Sequence, residues 1–291
     1  MNRIKVTTNI VYNNNAKKDI IIIHLSDIHF NINTKANDLE KITNLVNKIK
    51  PDYIMITGDL IDEPSITKNN KIKELVSFLS NIAKTTKVMI AIGNHDVLSK
   101  NDYRFFNKLN DLYNIYVLNN TSYQDEFIYV TGFTLPNEFY YNINNAENKE
   151  VLSDFLNSHK ELINKLPNDK PKILLMHSPI TVSQNDILKI LHEYDLILSG
   201  HTHNGMVPDI LNFLFKGNVG IISPYKTFFP EVAKGKIEKD IDNKKMTIII
   251  NGAYTKLSKK SGSVLSNLNF VYDKSVNKIL VRKKRGIKYE N

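Results

Sequence analysis

The chain has 291 residues, of which 39 are lysine or arginine and 30 are aspartate or glutamate, so its formal net charge is +9. Hydrophobic residues make up 42% and charged residues 24%, which is ordinary for a globular protein and excludes disorder of the whole chain. Cysteine is absent, which excludes disulfides and leaves nitrogen and oxygen atoms as the ligands of any metal site.

Short apolar runs alternate with longer amphipathic stretches between residues 20 and 200. Five runs predict buried strands, because they are rich in Ile, Val and Leu and end at turn residues. These runs are Ile20–Leu25, Tyr53–Thr57, Val88–Ile92, Ile173–Met176 and Leu196–Leu198. Apolar residues at helical spacing predict one helix from Leu39 to Ile49, with Asp38 as a candidate cap, and a second from Ile72 to Ile82. This alternation indicates an α/β fold with right-handed crossovers.

The pattern changes after residue 200. Residues 204–245 are irregular, and late strands are predicted at Met246–Ile250, Asn269–Tyr272 and Lys278–Val281, where we expect an antiparallel second sheet packed on the first. No internal repeat or long linker divides the sequence, so we interpret residues 1–291 as a single domain. Its motif-bearing core covers about residues 20–205, and a second-sheet region with a basic tail covers about residues 206–291.

The basic excess lies at the C-terminal end. Residues 1–230 hold 24 basic and 24 acidic residues, whereas residues 231–291 hold 15 basic and 6 acidic residues. The balanced body argues against nucleic acid as a partner. We interpret the run Arg282 to Arg285 as a solvated tail, with contact to an anionic membrane surface as the first alternative and contact to nucleic acid as the second.

No apolar run approaches the roughly 18–20 residues that a membrane span needs. The run Ile20–Ile23 is too short and too far from the start for a signal peptide. We therefore expect a cytoplasmic protein, either free or peripheral at a membrane.

Each of the five predicted strands between residues 20 and 200 runs into a cluster of polar residues. The candidate site residues in these clusters are Asp27, His29, Asp59, Asn94, His95, Asp96, His177, His201 and His203. Ligands of α/β sheets bind outside the carboxyl ends of the strands, so we expect these side chains to converge on one crevice. Carboxylate, amide and imidazole ligands without thiolate suit Mn²⁺, Fe or Zn²⁺, and their number suits two ions. His24, His159 and His192 lie outside the clusters, and we expect no ligand role for them.

The clusters resemble, in order, the five motifs of the calcineurin-like metallophosphoesterases, and the resemblance covers about residues 20–205. The motif residues are Asp27-x-His29, Gly58-Asp59, Gly93-Asn94-His95-Asp96, His177 and Gly200-His201-x-His203. With the strand pattern, this resemblance leads us to expect a four-layer α/β sandwich. Two mixed β-sheets flanked by helices would place a dinuclear metal site at the strand C-terminal ends.

The resemblance also implies a role for each motif residue. One metal ion is held by Asp27, His29 and His203, the other by Asn94, His177 and His201, and Asp59 bridges the two. His95 acts on the leaving group, and Asp96 orients His95. The implied cofactors are two divalent metal ions, Mn²⁺ first with Fe or Zn²⁺ as alternatives.

The implied activity is hydrolysis of a phosphomonoester or phosphodiester by in-line attack of a metal-bridging hydroxide. Gly200–Gly205 and Asn251–Tyr254 resemble a branch of the family that is often tethered to membranes, which implies a lipid-linked or nucleotide-linked phosphoester substrate. A nuclease, a cyclic-nucleotide phosphodiesterase and a non-catalytic metal-binding regulatory protein remain the alternatives. Asp62 is interpreted as a turn residue or a partner of the ligating side chains rather than as a metal ligand itself.

An apolar stretch follows the last motif, from Met206 to Phe215, and Phe228-Phe229 come after it. We interpret it as a loop folded on the second sheet. The alternative is a substrate wall or a membrane-facing lip, with Lys216, Lys226 and Lys234 meeting anionic headgroups.

Overall fold

Strands alternate with helices along most of the chain. The structure is a computed structural model that describes residues 3–140, 146–179, 185–222, 228–255 and 272–283. The strands are β1 (Ile4–Tyr12), β2 (Ile20–Leu25), β3 (Tyr53–Thr57), β4 (Lys87–Ala91), β5 (Ile115–Val117), β6 (Thr121–Gln124), β7 (Tyr129–Phe133), β8 (Lys172–Met176), β9 (Leu196–Ser199), β10 (Gly235–Ile241), β11 (Lys244–Ile250) and β12 (Lys274–Arg282). The α-helices are α1 (Ala36–Ile49), α2 (Ile72–Ala83), α3 (Tyr103–Leu109), α4 (Ala146–Ser158), α5 (Lys160–Asn164) and α6 (Asn185–Ile190).

The strands form two six-stranded sheets. The order in the first sheet is β1-β12-β2-β3-β4-β5, and in the second it is β10-β11-β9-β8-β7-β6. Strands β2 to β5 are parallel, as are β7, β8, β9 and β11, while β12, β10 and β6 pair antiparallel with β2, β11 and β7. Both sheets are mixed, as expected.

Alternate residues of the central strands point into two different cores. In β3, Tyr53 and Met55 lie in a core between the two sheets, whereas Ile54 and Ile56 pack under α1 and α2. In β8, Leu175 faces the other sheet, and Leu174 packs under α4 and α6. Because both faces of these strands are covered, the order of layers is helix, sheet, sheet, helix. The expected four-layer sandwich is confirmed.

Helix α1 shows how the local sequence sets an element. Leu39, Ile42 and Val46 recur on its buried face, and it ends at Lys50, which takes a left-handed conformation (φ 50°) before Pro51. The helix begins at Ala36, so Asp38 lies in its first turn and makes no cap hydrogen bond. The expected capping role of Asp38 is therefore wrong.

The late strands do not form a separate antiparallel sheet. Strand β11 joins the second sheet in parallel with β9, and β12 enters the first sheet between β1 and β2. The motif-bearing strands also divide, with β2 to β4 in the first sheet and β8 and β9 in the second. The prediction failed because periodicity identifies a buried strand but not its partner. The predicted strand Asn269–Tyr272 lies outside the described residues except for Tyr272, which is in a bend.

Strand β12 bears on the domain prediction, because it joins the C-terminal region to the first strands of the chain. This pairing supports the interpretation of residues 1–291 as one domain, which stays a prediction. Within the described ranges, no helix combines the length and apolar character required to cross a membrane.

Candidate metal centre

The motif residues meet where the carboxyl ends of the two sheets face each other. Three sets of side chains bring one ligand atom each to within 4.8 Å of one another. The sets are Asp27 with His29 and His203, His29 with Asp59 and His95, and Asp59 with His177 and His201. Asp59 belongs to two sets and joins the first-sheet histidines to the second-sheet histidines. The structure therefore brings together seven of the nine predicted residues in these sets, and the other two, Asn94 and Asp96, are buried on either side of His95.

The Asp27 carboxylate lies at the centre of one set. Its Oδ1 atom is 3.3 Å from His203 Nε2, 3.8 Å from His177 Nε2 and 3.9 Å from His29 Nε2, and it has no hydrogen-bond partner among the residues that the structure describes. Ligands about 2.1 Å from one ion stand about 3.0–3.4 Å apart in octahedral or tetrahedral geometry. The spacing around Asp27 is close to these values, so the atoms fit the shell of a shared cation.

In two of the candidate histidines, the ring nitrogen that faces away from the centre has a polar partner. His177 Nδ1 lies 2.6 Å from the Thr57 carbonyl oxygen. Because a carbonyl only accepts, Nδ1 carries a proton there, and Nε2 is the nitrogen that faces the centre, 3.0 Å from Asp59 Oδ2. His29 Nδ1 lies 3.3 Å from Asp62 Oδ1, which leaves its Nε2 facing the centre. Such partners orient metal-binding imidazoles.

Buried charge dominates the electrostatics of the centre. Burial works against the charge of Asp59, yet His177 holds the pKa of this carboxyl well below its usual range. Burial would also lower the pKa of His177, but Asp59 and Asp27 raise it to about 9. For His201, burial and the neighbouring His177 lower the pKa to about 3. The Asp59 carboxylate therefore stays ionised near neutral pH and requires a positive partner, which is the protonated His177 when no cation is bound.

Divalent cations fit that requirement. Among the described residues, Asp27 and Asp59 form ion pairs with histidines and with no lysine or arginine. Two buried carboxylates with only imidazoles around them lack a permanent counter-charge. Metal ions would supply that charge through ligands that are already in place.

The backbone is strained at the same positions. Five of the candidate ligands take positive φ values, namely Asp27 (53°), His29 (49°), Asp59 (50°), His201 (67°) and His203 (49°). Non-glycine residues in this region cost on the order of 1 kcal/mol or more each and cluster at functional sites. At Gly200, a Cβ would lie 1.7 Å from Ser26 Oγ and 2.6 Å from Asp27 Oδ2. Glycine is therefore required there so that the β9 end can approach the β2 end.

His95 lies beside the centre and is more accessible to solvent than the candidate metal ligands. Its side chain is 28% exposed, and its backbone N–H donates to Asp59 Oδ1 at 2.8 Å. Its Nδ1 atom donates to the Asp62 carbonyl oxygen at 2.8 Å and lies 3.8 Å from Asp62 Oδ1. His95 can thus present its Nε2 atom to a ligand in the cleft.

Asp96 does not make the expected contact with the His95 ring. Its buried carboxylate accepts hydrogen bonds from the N–H groups of Gly93 at 2.8 Å and Ile61 at 3.0 Å, so it joins the β3 and β4 loops. Burial, followed by the charge of Asp59, raises the pKa of Asp96 to about 7. Both Asp96 oxygens thus accept backbone hydrogen bonds, whereas Asp62 is the residue beside the His95 ring. The orienting role of Asp96 stays a prediction.

A segment after β11 supports the loop that carries Asp27 and His29. The backbone N–H of Thr255 donates to the Asp27 carbonyl oxygen at 2.9 Å, and its hydroxyl donates to the Ile28 carbonyl oxygen at 2.8 Å. The side chain of Asn251 donates to the His24 carbonyl oxygen at 2.8 Å. The family resemblance had pointed to Asn251–Tyr254, but no residue pattern predicted that this segment contacts the β2 loop.

The remaining histidines lie apart from the three sets. His24 Nε2 lies 2.9 Å from the Thr57 hydroxyl. His159 and His192 contact the carbonyl oxygens of Phe155 and Lys189 on their own helical stretches. The expectation that they bind no metal stays a prediction.

A two-sheet α/β sandwich with nitrogen and oxygen ligands at its strand ends defines a metal-dependent phosphoesterase architecture. The family model described as calcineurin-like phosphoesterase matches residues 20–205. The chain belongs to this family.

Known relatives share only part of the sequence. An uncharacterized metallophosphoesterase of Campylobacter jejuni is 31% identical over 212 residues, which cover 72% of this chain and 50% of that protein. The UDP-2,3-diacylglucosamine pyrophosphatase LpxG of Chlamydia muridarum is 23% identical over 252 residues, which cover 74% of this chain and 72% of that protein. The phosphopantetheinyl hydrolase of Mycobacterium tuberculosis superposes with a TM-score of 0.43 and 11% identity, covering 80% of this chain and 89% of that chain. The chain spans about half the length of the Campylobacter and Helicobacter pylori relatives that it matches.

Proposed function

We propose that this protein hydrolyses a phosphomonoester or phosphodiester with the help of two divalent metal ions. The observation that carries the proposal is the pair of ligand sets that share one carboxylate. The Oδ2 atom of Asp59 lies 3.7 Å from His29 Nε2 and 3.0 Å from His177 Nε2. This arrangement supports Asp59 as the bridge between two ions.

Each part of the cleft has a role in this proposal. Asp27, His29 and His203 would hold one ion, and Asn94, His177 and His201 the other. Bound divalent ions supply a water molecule of lowered pKa and neutralise charge on phosphoryl oxygens. His95 would donate a proton to the leaving oxygen, a service worth about 10²–10⁴-fold in rate. Asp62 would keep the Nδ1 proton of His95 in place, so that Nε2 faces the leaving group.

The substrate we propose is a lipid-linked or nucleotide-linked phosphoester. The name of the Chlamydia relative, which is a pyrophosphatase of a diacylated nucleotide sugar, supports this class. Mn²⁺ is the proposed metal, with Fe or Zn²⁺ as alternatives. A cytoplasmic location and a membrane contact through the basic C-terminal region stay predictions, and residues 284–291 of that region lie outside the described residues.

Chromogenic substrates test the proposal directly. The full chain is assayed with a nitrophenyl phosphomonoester and a bis-nitrophenyl phosphodiester in added Mn²⁺, and bound metal is measured by elemental analysis. Turnover of at least one substrate is expected. Protein that holds two metal ions and hydrolyses neither substrate would be a metal-binding protein without turnover, which contradicts the proposal.

Two substitutions separate metal binding from proton donation. Asp59→Asn is expected to lose metal and activity together, because it removes a charge shared by two sets of ligands. His95→Ala is expected to keep its metal and lose about 10²–10⁴-fold in rate, most for substrates with poor leaving groups. His192→Ala changes a histidine outside the cleft and serves as the control. Equal loss of metal in the Asp59 and His95 variants would refute the role of His95.

A further inference from the structure

Five large apolar side chains lie exposed on the segment that follows the last candidate ligand. They form what we call the apolar patch and are Ile210 (79% exposed), Phe213 (67%), Leu214 (63%), Phe228 (71%) and Phe229 (62%). Each of these side chains is more than 60% exposed. Exposed apolar patches mark interaction sites.

The patch consists of two segments that pack together. Phe215 stacks on Phe229 with ring centroids 6.4 Å apart and an interplanar angle of 9°. The N–H of Phe229 donates to the Ile221 carbonyl oxygen at 2.9 Å, which pairs the second segment with residues 221 and 222, so the stacked rings of Phe215 and Phe229 are the contact between the two segments. The five side chains are therefore presented by a connected element rather than by separate loops.

Backbone contacts fix this element to the metal centre. The Gly205 carbonyl oxygen, two residues after His203, accepts hydrogen bonds from Ile221 N–H at 2.7 Å and Ile222 N–H at 3.2 Å. A Cβ on Gly205 would lie 2.3 Å from Gly220 Cα, so the two backbones touch at this point. The patch thus lies on the same end of the sandwich as the cleft and keeps a set position relative to it.

Two exposed lysines flank the patch. Lys216 follows Phe215 directly. Strand β1 begins at the end of the sandwich where β2 finishes, because it runs parallel to β12 and antiparallel to β2, and this places Lys5 at the cleft end. Lys5 is near Lys234, whose ammonium donates to the Phe215 carbonyl oxygen at 2.9 Å. Neither Lys5 nor Lys216 forms an ion pair within the part of the chain that the structure describes.

We propose that the apolar patch inserts into the headgroup region of an anionic lipid bilayer and holds the candidate metal centre at the membrane surface. Exposed aromatic and aliphatic side chains with flanking lysines are the chemistry that such an interface selects. A second copy of the chain fits less well, because pairing two patches would bring their lysines together without counter-charge. The proposal goes beyond hydrolysis and does not depend on it, since membrane binding is measured without turnover.

Vesicle co-sedimentation of the full chain tests the proposal. Vesicles of phosphatidylcholine alone are compared with vesicles that also contain phosphatidylglycerol. The wild-type chain is expected to bind both and to prefer the anionic vesicles. Phe213→Ser combined with Phe228→Ser should weaken binding about tenfold or more. Lys5→Glu combined with Lys216→Glu should remove the preference for anionic vesicles, with about a fivefold effect for each lysine.

A matched double variant controls for general loss of exposed aromatics. Tyr12 and Tyr113 are 63% and 76% exposed and lie at the opposite end of the sandwich, so Tyr12→Ser with Tyr113→Ser should bind vesicles like the wild type. Unchanged urea midpoints establish that all variants fold. Absence of wild-type binding to both vesicles, or equal loss in the control, overturns the proposal. A dimer in vesicle-free solution that the Phe213 and Phe228 changes dissociate also overturns it, because the patch would then be a subunit interface.

Discussion

A methyl group added at Gly200 is expected to clash with Ser26 and Asp27 and so to disturb the metal centre. The new Cβ would lie 1.7 Å from Ser26 Oγ and 2.6 Å from Asp27 Oδ2, whereas ordinary contact begins at 3.4 Å. Ser26 must move by about 1.7 Å, which breaks the hydrogen bond that its hydroxyl donates to the Thr57 carbonyl oxygen at 3.0 Å. Overpacking of this kind costs about 1–3 kcal/mol, and the buried hydrogen bond adds about 1 kcal/mol. We expect Gly200→Ala to lower the free energy of unfolding by about 2–4 kcal/mol.

The same displacement should weaken metal binding, because Asp27 is pushed away from the histidine nitrogens around it. Loss of ligand orientation typically costs about 10–100-fold in metal affinity. Unfolding is measured by urea titration with chelator present, and affinity by Mn²⁺ titration calorimetry. Gly132→Ala is the matched control, since its Cβ would lie 2.4 Å from Leu118 and from no candidate ligand. Its stability should fall without loss of affinity. Wild-type affinity in the Gly200 variant, or equal loss in the Gly132 variant, would refute the reasoning.

Three further changes test other contacts. Asp62→Asn should lower metal affinity about 10–100-fold, measured by the same titration, because it weakens the partner of His29 Nδ1. Thr255→Val removes the hydroxyl that donates to the Ile28 carbonyl oxygen and should cost about 1 kcal/mol in urea unfolding. Burial opposes charge on Asp125, yet the hydrogen bonds that it accepts lower its pKa to about 2. Ionised Asp125 therefore stabilises the folded protein above the unfolded pKa of about 4, and this contribution is lost as the pH falls toward 2. Asp125→Asn should flatten the plot of unfolding free energy against pH in that range.

Several central strands were predictable because they are buried on both faces, although β7, which is also buried throughout, was not predicted. Ile20–Leu25 and Tyr53–Thr57 match β2 and β3 at both ends, since strands covered on two sides are continuous apolar runs that polar residues terminate. Strands β1 and β10 were missed for the opposite reason. They are the outer strands of the two sheets, and most of their side chains are at least partly exposed. Edge strands therefore carry little of the apolar signal on which the prediction relied.

The kinds of ligand at the centre were predictable, but the contacts behind them were not. Order and spacing of the motifs place Asp27 and His203 at strand ends, and the structure brings them within 3.3 Å. The neighbour of His95 could not be found in this way. Asp96 is next to it in sequence, whereas Asp62 reaches it from the β3 loop. Proximity along the chain does not determine which carbonyl or carboxylate a turn brings to an imidazole nitrogen.

Metal binding and loop structure should be coupled in this fold. The five candidate ligands with positive φ hold conformations that are unfavourable for non-glycine residues, and the buried carboxylates among them lack a lysine or arginine partner within the described residues. The cost of the strained backbone and the cost of the buried carboxylates are offset by packing such as the Gly200 contact and by the hydrogen bonds from Thr255. A ligand that binds only the folded loops stabilises them by mass action. The net charge of +9 is therefore a poor guide to the centre, where buried carboxylates are candidate ligands and bound divalent ions would supply the balancing positive charge.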